Sequence, residues 1–209
     1  MIDEEFHFSA LYSELYSIPG LKFLSTAVSF KNAGVGFQVV NENDFYMNSI
    51  NIGYSFDFGK ELRIGISGEL TQMFVRGESG VFNSFSLGAG FLIPYSSSLI
   101  LGVALHNIIV TNKSLNGEGE IAFSSRLQVF KGLIVYFDAF YDVFSRMSYR
   151  FLTNYRIWKD LNLTVGLRSS PNCYYIGLSF QNFIKFIYIV ALHPYLGFSH
   201  FVGLREGFF

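Results

Sequence analysis

The chain has 209 residues, 15 basic and 16 acidic side chains, and a formal net charge of -1. Half of it is hydrophobic and 19% aromatic, with only 15% charged, against about 25% charge in an ordinary soluble domain. Disorder is excluded by the aromatic content, a disulfide scaffold by the single cysteine, Cys173, and nucleic acid as a partner by the absence of excess Lys and Arg.

Mean hydropathy is +0.32, which makes membrane spanning the first question. A spanning helix needs roughly 18 or more consecutive apolar residues. The longest candidates, Leu99 to Val110 and Phe183 to Leu192, are too short, and are interrupted by His106 and Asn107 and by Lys185. Met1-Ile2-Asp3-Glu4-Glu5 is acidic and no apolar run follows it, so it does not read as a secretion signal. The expectation is a start that has been trimmed or misplaced.

In chain order, the apolar residues recur with period 2, the signature of strands. Ile50, Ile52, Tyr54, Phe56 and Phe58 alternate with Asn51, Gly53, Ser55 and Asp57. Leu62, Ile64 and Ile66 alternate with Arg63, Gly65 and Ser67, and Glu69 and Thr71 continue the polar row. Phe85 to Ile93 follows the same rule against Ser84, Ser86, Gly88 and Gly90. Leu99 to Leu105, Ile121 to Val129, Leu133 to Val143, Tyr149 to Ile157, Leu161 to Leu167 and Tyr174 to Phe180 repeat it. Short turns are predicted at Gly59-Lys60, Pro94 to Ser98, Lys131-Gly132, Lys159-Asp160 and Asn172-Cys173. Longer polar joints fall at Asn41 to Asp44, Gly77 to Gly80 and Thr111 to Gly119. The count is about fourteen strands, with twelve possible; about fifteen residues per strand and connection suits a membrane strand of about 9–11 residues. No domain boundary is visible, so the whole of 1–209 reads as one domain.

The composition of the two rows decides the environment. One row is Leu, Ile, Val, Phe and Tyr; the other is Gly, Ser, Ala, Asn, Arg and Asp, with little Lys. A soluble sandwich would show Lys, Glu and Thr on its outer row. A closed barrel in lipid puts the apolar row outward and the small, polar row inward, and leaves no unpaired edge. The expected fold is therefore all-β, a single antiparallel up-and-down transmembrane barrel. Tyr46, Tyr95, Tyr149 and Tyr174 fall where interfacial aromatic girdles belong. The ending Gly207-Phe208-Phe209 has the terminal aromatic of such barrels.

Three stretches carry a resemblance: Tyr12 to Leu21, the block Ile50 to Asn107 with its ending Gly102-Val103-Ala104-Leu105-His106-Asn107, and His193 to His200. Their order resembles FadL-like outer-membrane barrels, in particular the PorV/PorQ-like group. In that group the second stretch ends a strand in an Asn-containing turn, and the third forms the final hairpin. The resemblance implies an outer-membrane location in a Gram-negative-type bacterium. Proteins of the FadL type begin with a plug bearing an Asn-Pro-Ala motif, which this chain does not show. The expectation is either that signal and plug have been cut away or that the lumen is open or self-filled.

Catalytic patterns are weak. His7, His106, His193 and His200 have no metalloprotease spacing, and one cysteine cannot build a structural zinc site. His193 and His200 flank a turn and could approach across it. Ser199 and His200 are adjacent on a strand and so point to opposite faces, which rules out a dyad. Gly88-Ala89-Gly90 and Gly117-Glu118-Gly119 lack the strand-to-helix context of a phosphate loop. No enzyme, cofactor or metal site is expected.

The predicted lumen row carries Arg63, Glu69, Arg126, Asp138, Asp142, Arg150, Arg156 and Arg168. These are either a polar path or a set of cross-strand ion pairs; Arg150, Arg156 and Arg168 also suit an anionic head group. The expected function is binding or passive transport of small hydrophobic or amphipathic compounds, with membrane lipid around the barrel. The alternative, implied by the resemblance, is a secretion-system component that docks partner or cargo proteins.

Overall fold

The computed structural model describes residues 6–16, 18, 20–42, 44–59, 61–77, 80–111, 119–142, 147–170, 172–181 and 184–207. Met1 to Glu5, most of the Thr111–Gly119 joint with its Gly117-Glu118 pair, and Phe208-Phe209 lie outside these residues. Fourteen strands form one closed antiparallel barrel in sequence order. They are β1 (Phe6–Glu14), β2 (Lys22–Phe30), β3 (Ala33–Glu42), β4 (Phe45–Phe58), β5 (Leu62–Val75), β6 (Val81–Pro94) and β7 (Leu99–Val110), followed by β8 (Glu120–Phe130), β9 (Leu133–Asp142), β10 (Met147–Arg156), β11 (Leu161–Arg168), β12 (Cys173–Gln181), β13 (Lys185–His193) and β14 (Gly197–Gly207). Closure is made by β1 on β14, from His7↔Gly207 to Glu14↔His200. No strand edge is left to solvent or lipid, which is what lets a sheet stand in hydrocarbon.

The interior is inverted relative to a water-soluble protein. Among the described residues the buried apolar side chains are three alanines, Ala122, Ala139 and Ala191, while the buried polar set has eleven members, eight of them Ser or Thr. The large apolar residues are on the outside: Ile52 is 63% exposed and Ile176 57%. A soluble barrel would bury these groups, because each is worth about 1.5–3 kcal/mol on removal from water. An outer face of this kind is suited to hydrocarbon rather than to water. Tyr46, Tyr149 and Tyr174 project outward within three residues of a strand start, and Tyr95 follows the end of β6.

An even number of strands puts both chain ends at one rim, called here the terminal rim. Its links are 31–32, 59–61, 95–98, 131–132, 157–160 and 182–184. Two-residue hairpins need positive φ to match strand twist, and Lys31 (φ 52°) and Gly132 (φ 109°) supply it. The opposite rim carries the longer links 15–21, 76–80 and 111–119. Strands β4, β5 and β6 have 14 residues each and β11 only 8, so the wall is taller on one side.

One sequence expectation fails in β7. Asn107 does not end the strand in a turn; β7 continues to Val110. The β6–β7 register runs Ala89↔Leu105 and then Leu87↔Ile109, and Asn107 sits at φ 55° inside this bulge. Asn tolerates that left-handed conformation. The bulge breaks the period-2 rule, so the consecutive Ile108 and Ile109 are both exposed. The 193–200 segment does form the last hairpin, between β13 and β14.

Candidate functional site: the lumen

Cross-strand partners fix which side chains share the inner face. From Ser49↔Thr71 and Asn51↔Glu69 on β4–β5 the inner row passes to Ser84 and Ser86 on β6. It continues through Gly102↔Ser124 and Ser124↔Asp138 to Asp138↔Arg150 and Arg150↔Arg168. All eight residues expected on the lumen row lie on it.

The wall of β2–β8 is lined at mid-height by small or polar residues, among them Ser25, Gly36, Asn51, Gly53, Ser67 and Ala104. Against it, and reaching Ser9 and Arg205 on β1 and β14, is a cavity of about 1020 Å³. Gly53 and Gly65 show why the space exists. A Cβ built there would meet nothing closer than a backbone oxygen at 3.6 and 3.8 Å. Buried Ser49 and Thr71 bond at 3.1 Å, and Thr71 donates to Glu69 Oε1 at 3.1 Å, fixing that carboxylate in the wall.

The wall of β9–β14 is different. Its inner row carries Tyr136, Phe140, Leu152, Tyr175, Ile189 and Phe201. The expectation of a uniformly small inner row is therefore corrected for this half. The bulk fits because glycines on neighbouring strands make room. A Cβ on Gly166 would stand 2.2 Å from Leu152 Cδ2, and one on Gly177 2.6 Å from Ile189 Cγ1. On the β14–β1 seam a Cβ on Gly203 would come within 3.1 Å of Leu11 Cδ1.

The charges divide between the two walls. Arg63 and Glu69 line the cavity; Arg126, Asp138, Asp142, Arg150, Arg156 and Arg168 are not in its lining. Arg63 forms a two-point ion pair with Asp57, its direct cross-strand partner. Arg150 Nε donates to Asp138 Oδ2 at 2.8 Å, the carboxylate being largely buried. Arg150 and Arg168 both lie against the Phe140 ring, at 5.5 and 5.9 Å, a cation–π contact that helps hold two like charges opposite one another. The ion-pair reading thus describes Arg63 and Arg150, whereas Arg126 and Arg156 form no ion pair with a described acid. Lys185 and Arg205 are further inward cations that the sequence reading passed over. Their signal was available: Phe186, Tyr188, Val190 and Leu192 alternate away from Lys185.

His193 and His200 do not meet. His193 is buried and accepts the N–H groups of Tyr195 and Leu196 on Nδ1, at 3.3 and 3.2 Å, so it caps the β13–β14 turn. His200 faces outward with Tyr188, whose hydroxyl lies 2.9 Å from its Nδ1. Ser199 is buried and accepts the Tyr16 N–H at 2.8 Å. The parity of the strand separates the two histidines.

No family model matches the chain, and no curated protein matches it in sequence. Solved structures do match. The CymD monoaromatic hydrocarbon channel superposes with a TM-score of 0.61 at 10% identity, over 98% of this chain and 88% of that one. The KdgM porin gives 0.57 at 9% identity over 97% and 99%. A mutant Rhodopseudomonas blastica porin gives 0.56 at 9% over 98% and 99%. The fold is thus a closed antiparallel β-barrel like those of porins and channels, here with fourteen strands; the FadL-like resemblance is not established by these matches.

Proposed function

We propose that this barrel is an outer-membrane channel through which small amphipathic or hydrophobic compounds pass by diffusion, without a covalent step. The carrying observation is the two-sided lumen: about 1020 Å³ of space against a small, polar wall, with a bulkier wall across from it that sets Tyr136, Phe140, Leu152, Ile189 and Phe201 among its charged residues. A solute with a polar and an apolar part finds partners for both in such a lumen. The fold likeness to porins and to a hydrocarbon channel supports passage as the activity. Barrels of this type keep short turns toward the periplasm and longer loops outside, which orients the terminal rim to the periplasm.

Docking of secretion partners or cargo is the weaker reading. It rests on the resemblance alone, and among the described links none presents a broad surface. The test is reconstitution into planar bilayers together with swelling of proteoliposomes in small amphipathic solutes. Discrete conductance steps and solute-dependent swelling are expected. A folded, inserted barrel that shows neither overturns the channel reading.

A further inference from the structure

The inner row holds a second pattern, at the terminal rim. Arg63, Arg156 and Lys185 stand at or next to strand ends there, and Arg205 and Arg126 lie two and four residues in from Gly207 and Phe130. They come from β5, β10, β13, β14 and β8, and so surround the mouth. Asp57 is the one acid on the inner row at this rim among the described residues, and it is paired with Arg63. The other four cations form no ion pair with a described acid. Lys185 and Arg205 are direct cross-strand partners. Like charges set opposite each other destabilise a sheet, and no described acid forms an ion pair with either. The inner row nearer the opposite rim carries Glu69, Glu120, Asp138 and Asp142 against Arg150 and Arg168, so the lumen is polarised along its axis.

Apolar residues adjoin part of the ring. Arg126 is partnered with Tyr136, and the inward residues after Lys185 are Ile187 and Ile189. From Arg205 the inner row passes Gly203 to Phe201. On the β13–β14 side the cations are therefore followed, further into the lumen, by an apolar surface.

We propose that this ring makes the terminal rim an anion-selecting mouth, and that the solutes of this channel are small amphipathic anions such as aromatic carboxylates. The proposal rests on the channel reading above. Rings of fixed charge select ions of opposite sign, and a narrow low-dielectric mouth strengthens their field. The carboxylate is held by the facing Lys185 and Arg205, while the apolar part lies along Ile187 and Ile189 further into the lumen.

The experiment is the reversal potential of the reconstituted protein in a KCl gradient, paired with proteoliposome swelling in benzoate and in benzylammonium. Chloride is expected to be preferred over potassium, and benzoate to enter several-fold faster than benzylammonium. The preference should fade near 1 M salt, where the Debye length is about 3 Å. The triple variant Arg126→Glu/Lys185→Glu/Arg205→Glu should reverse the sign at similar conductance. The neutral pair Lys185→Gln/Arg205→Gln, which removes the facing like charges, should weaken the preference if the triple variant does not fold. Conductance without anion preference, or a preference unchanged in a folded variant, overturns the ring alone. No conductance from the folded wild type overturns the channel reading, and the ring with it.

Discussion

The two halves of the barrel obey one rule outside and opposite rules inside. On β2–β8 the inner row is small at mid-height, and space results. On β9–β14 it is bulky, with Gly166 and Gly177 hollowed to receive Leu152 and Ile189. The same residue type thus does two jobs. Glycine at 53 or 65 leaves a void; glycine at 166 or 177 is filled by a neighbour. What separates them is the partner across the strand: Gly53 faces Gly34 and Ser67, whereas Gly166 faces Leu152 and Tyr175. A barrel of this girth need not be an empty pipe, because one wall can be packed and the other left open.

This contrast can be erased from the open side. Gly53→Trp with Gly65→Trp should fill the cavity without backbone collision, since the nearest atoms stand 3.6 and 3.8 Å from the built Cβ positions. Single-channel conductance should drop several-fold while the urea midpoint of the reconstituted barrel stays put. The packed side should respond in the reverse way. Gly166→Ala drives a methyl into Leu152 and to 2.6 Å from the Phe151 carbonyl; overpacking of this kind costs roughly 1–3 kcal/mol, read as a lower urea midpoint, with conductance through any folded channel little changed.

Smaller changes sharpen the comparison through its charges. Asp138→Asn removes the carboxylate that Arg150 pairs with among the described residues and leaves Arg150 and Arg168 facing each other. Because Arg150 keeps 42% of its side chain exposed, solvent limits the loss to about 1–2 kcal/mol, measurable by the same titration. Asp57→Asn breaks an exposed pair on the open side. It should alter stability by about 0–1 kcal/mol, while frees Arg63 and raises anion preference in the reversal-potential measurement.

Much of this was legible from period and composition. Strict alternation from Ile50 to Phe58 identified β4 and its outer face, because side chains on a strand change face at every residue. The eight lumen charges followed from the same parity. The rule failed where the chain slips register, as at Asn107, since a bulge leaves no mark in an apolar count until Ile108 and Ile109 are seen to share a face. Lys185 was overlooked because it interrupts a run that reads as apolar, although parity places it inside.

The sequence by itself determined that the apolar row faces outward and that the chain closes as a many-stranded barrel. Those are properties of each strand alone, repeated. Only the tertiary structure decided which inner residues stand side by side. The Leu152–Gly166 and Ile189–Gly177 fits, the pairing of Asp138 with Arg150 and the confrontation of Lys185 with Arg205 all depend on register between strands. Register is set by turn geometry, bulges and closure of the whole ring, and a single strand's pattern does not contain it.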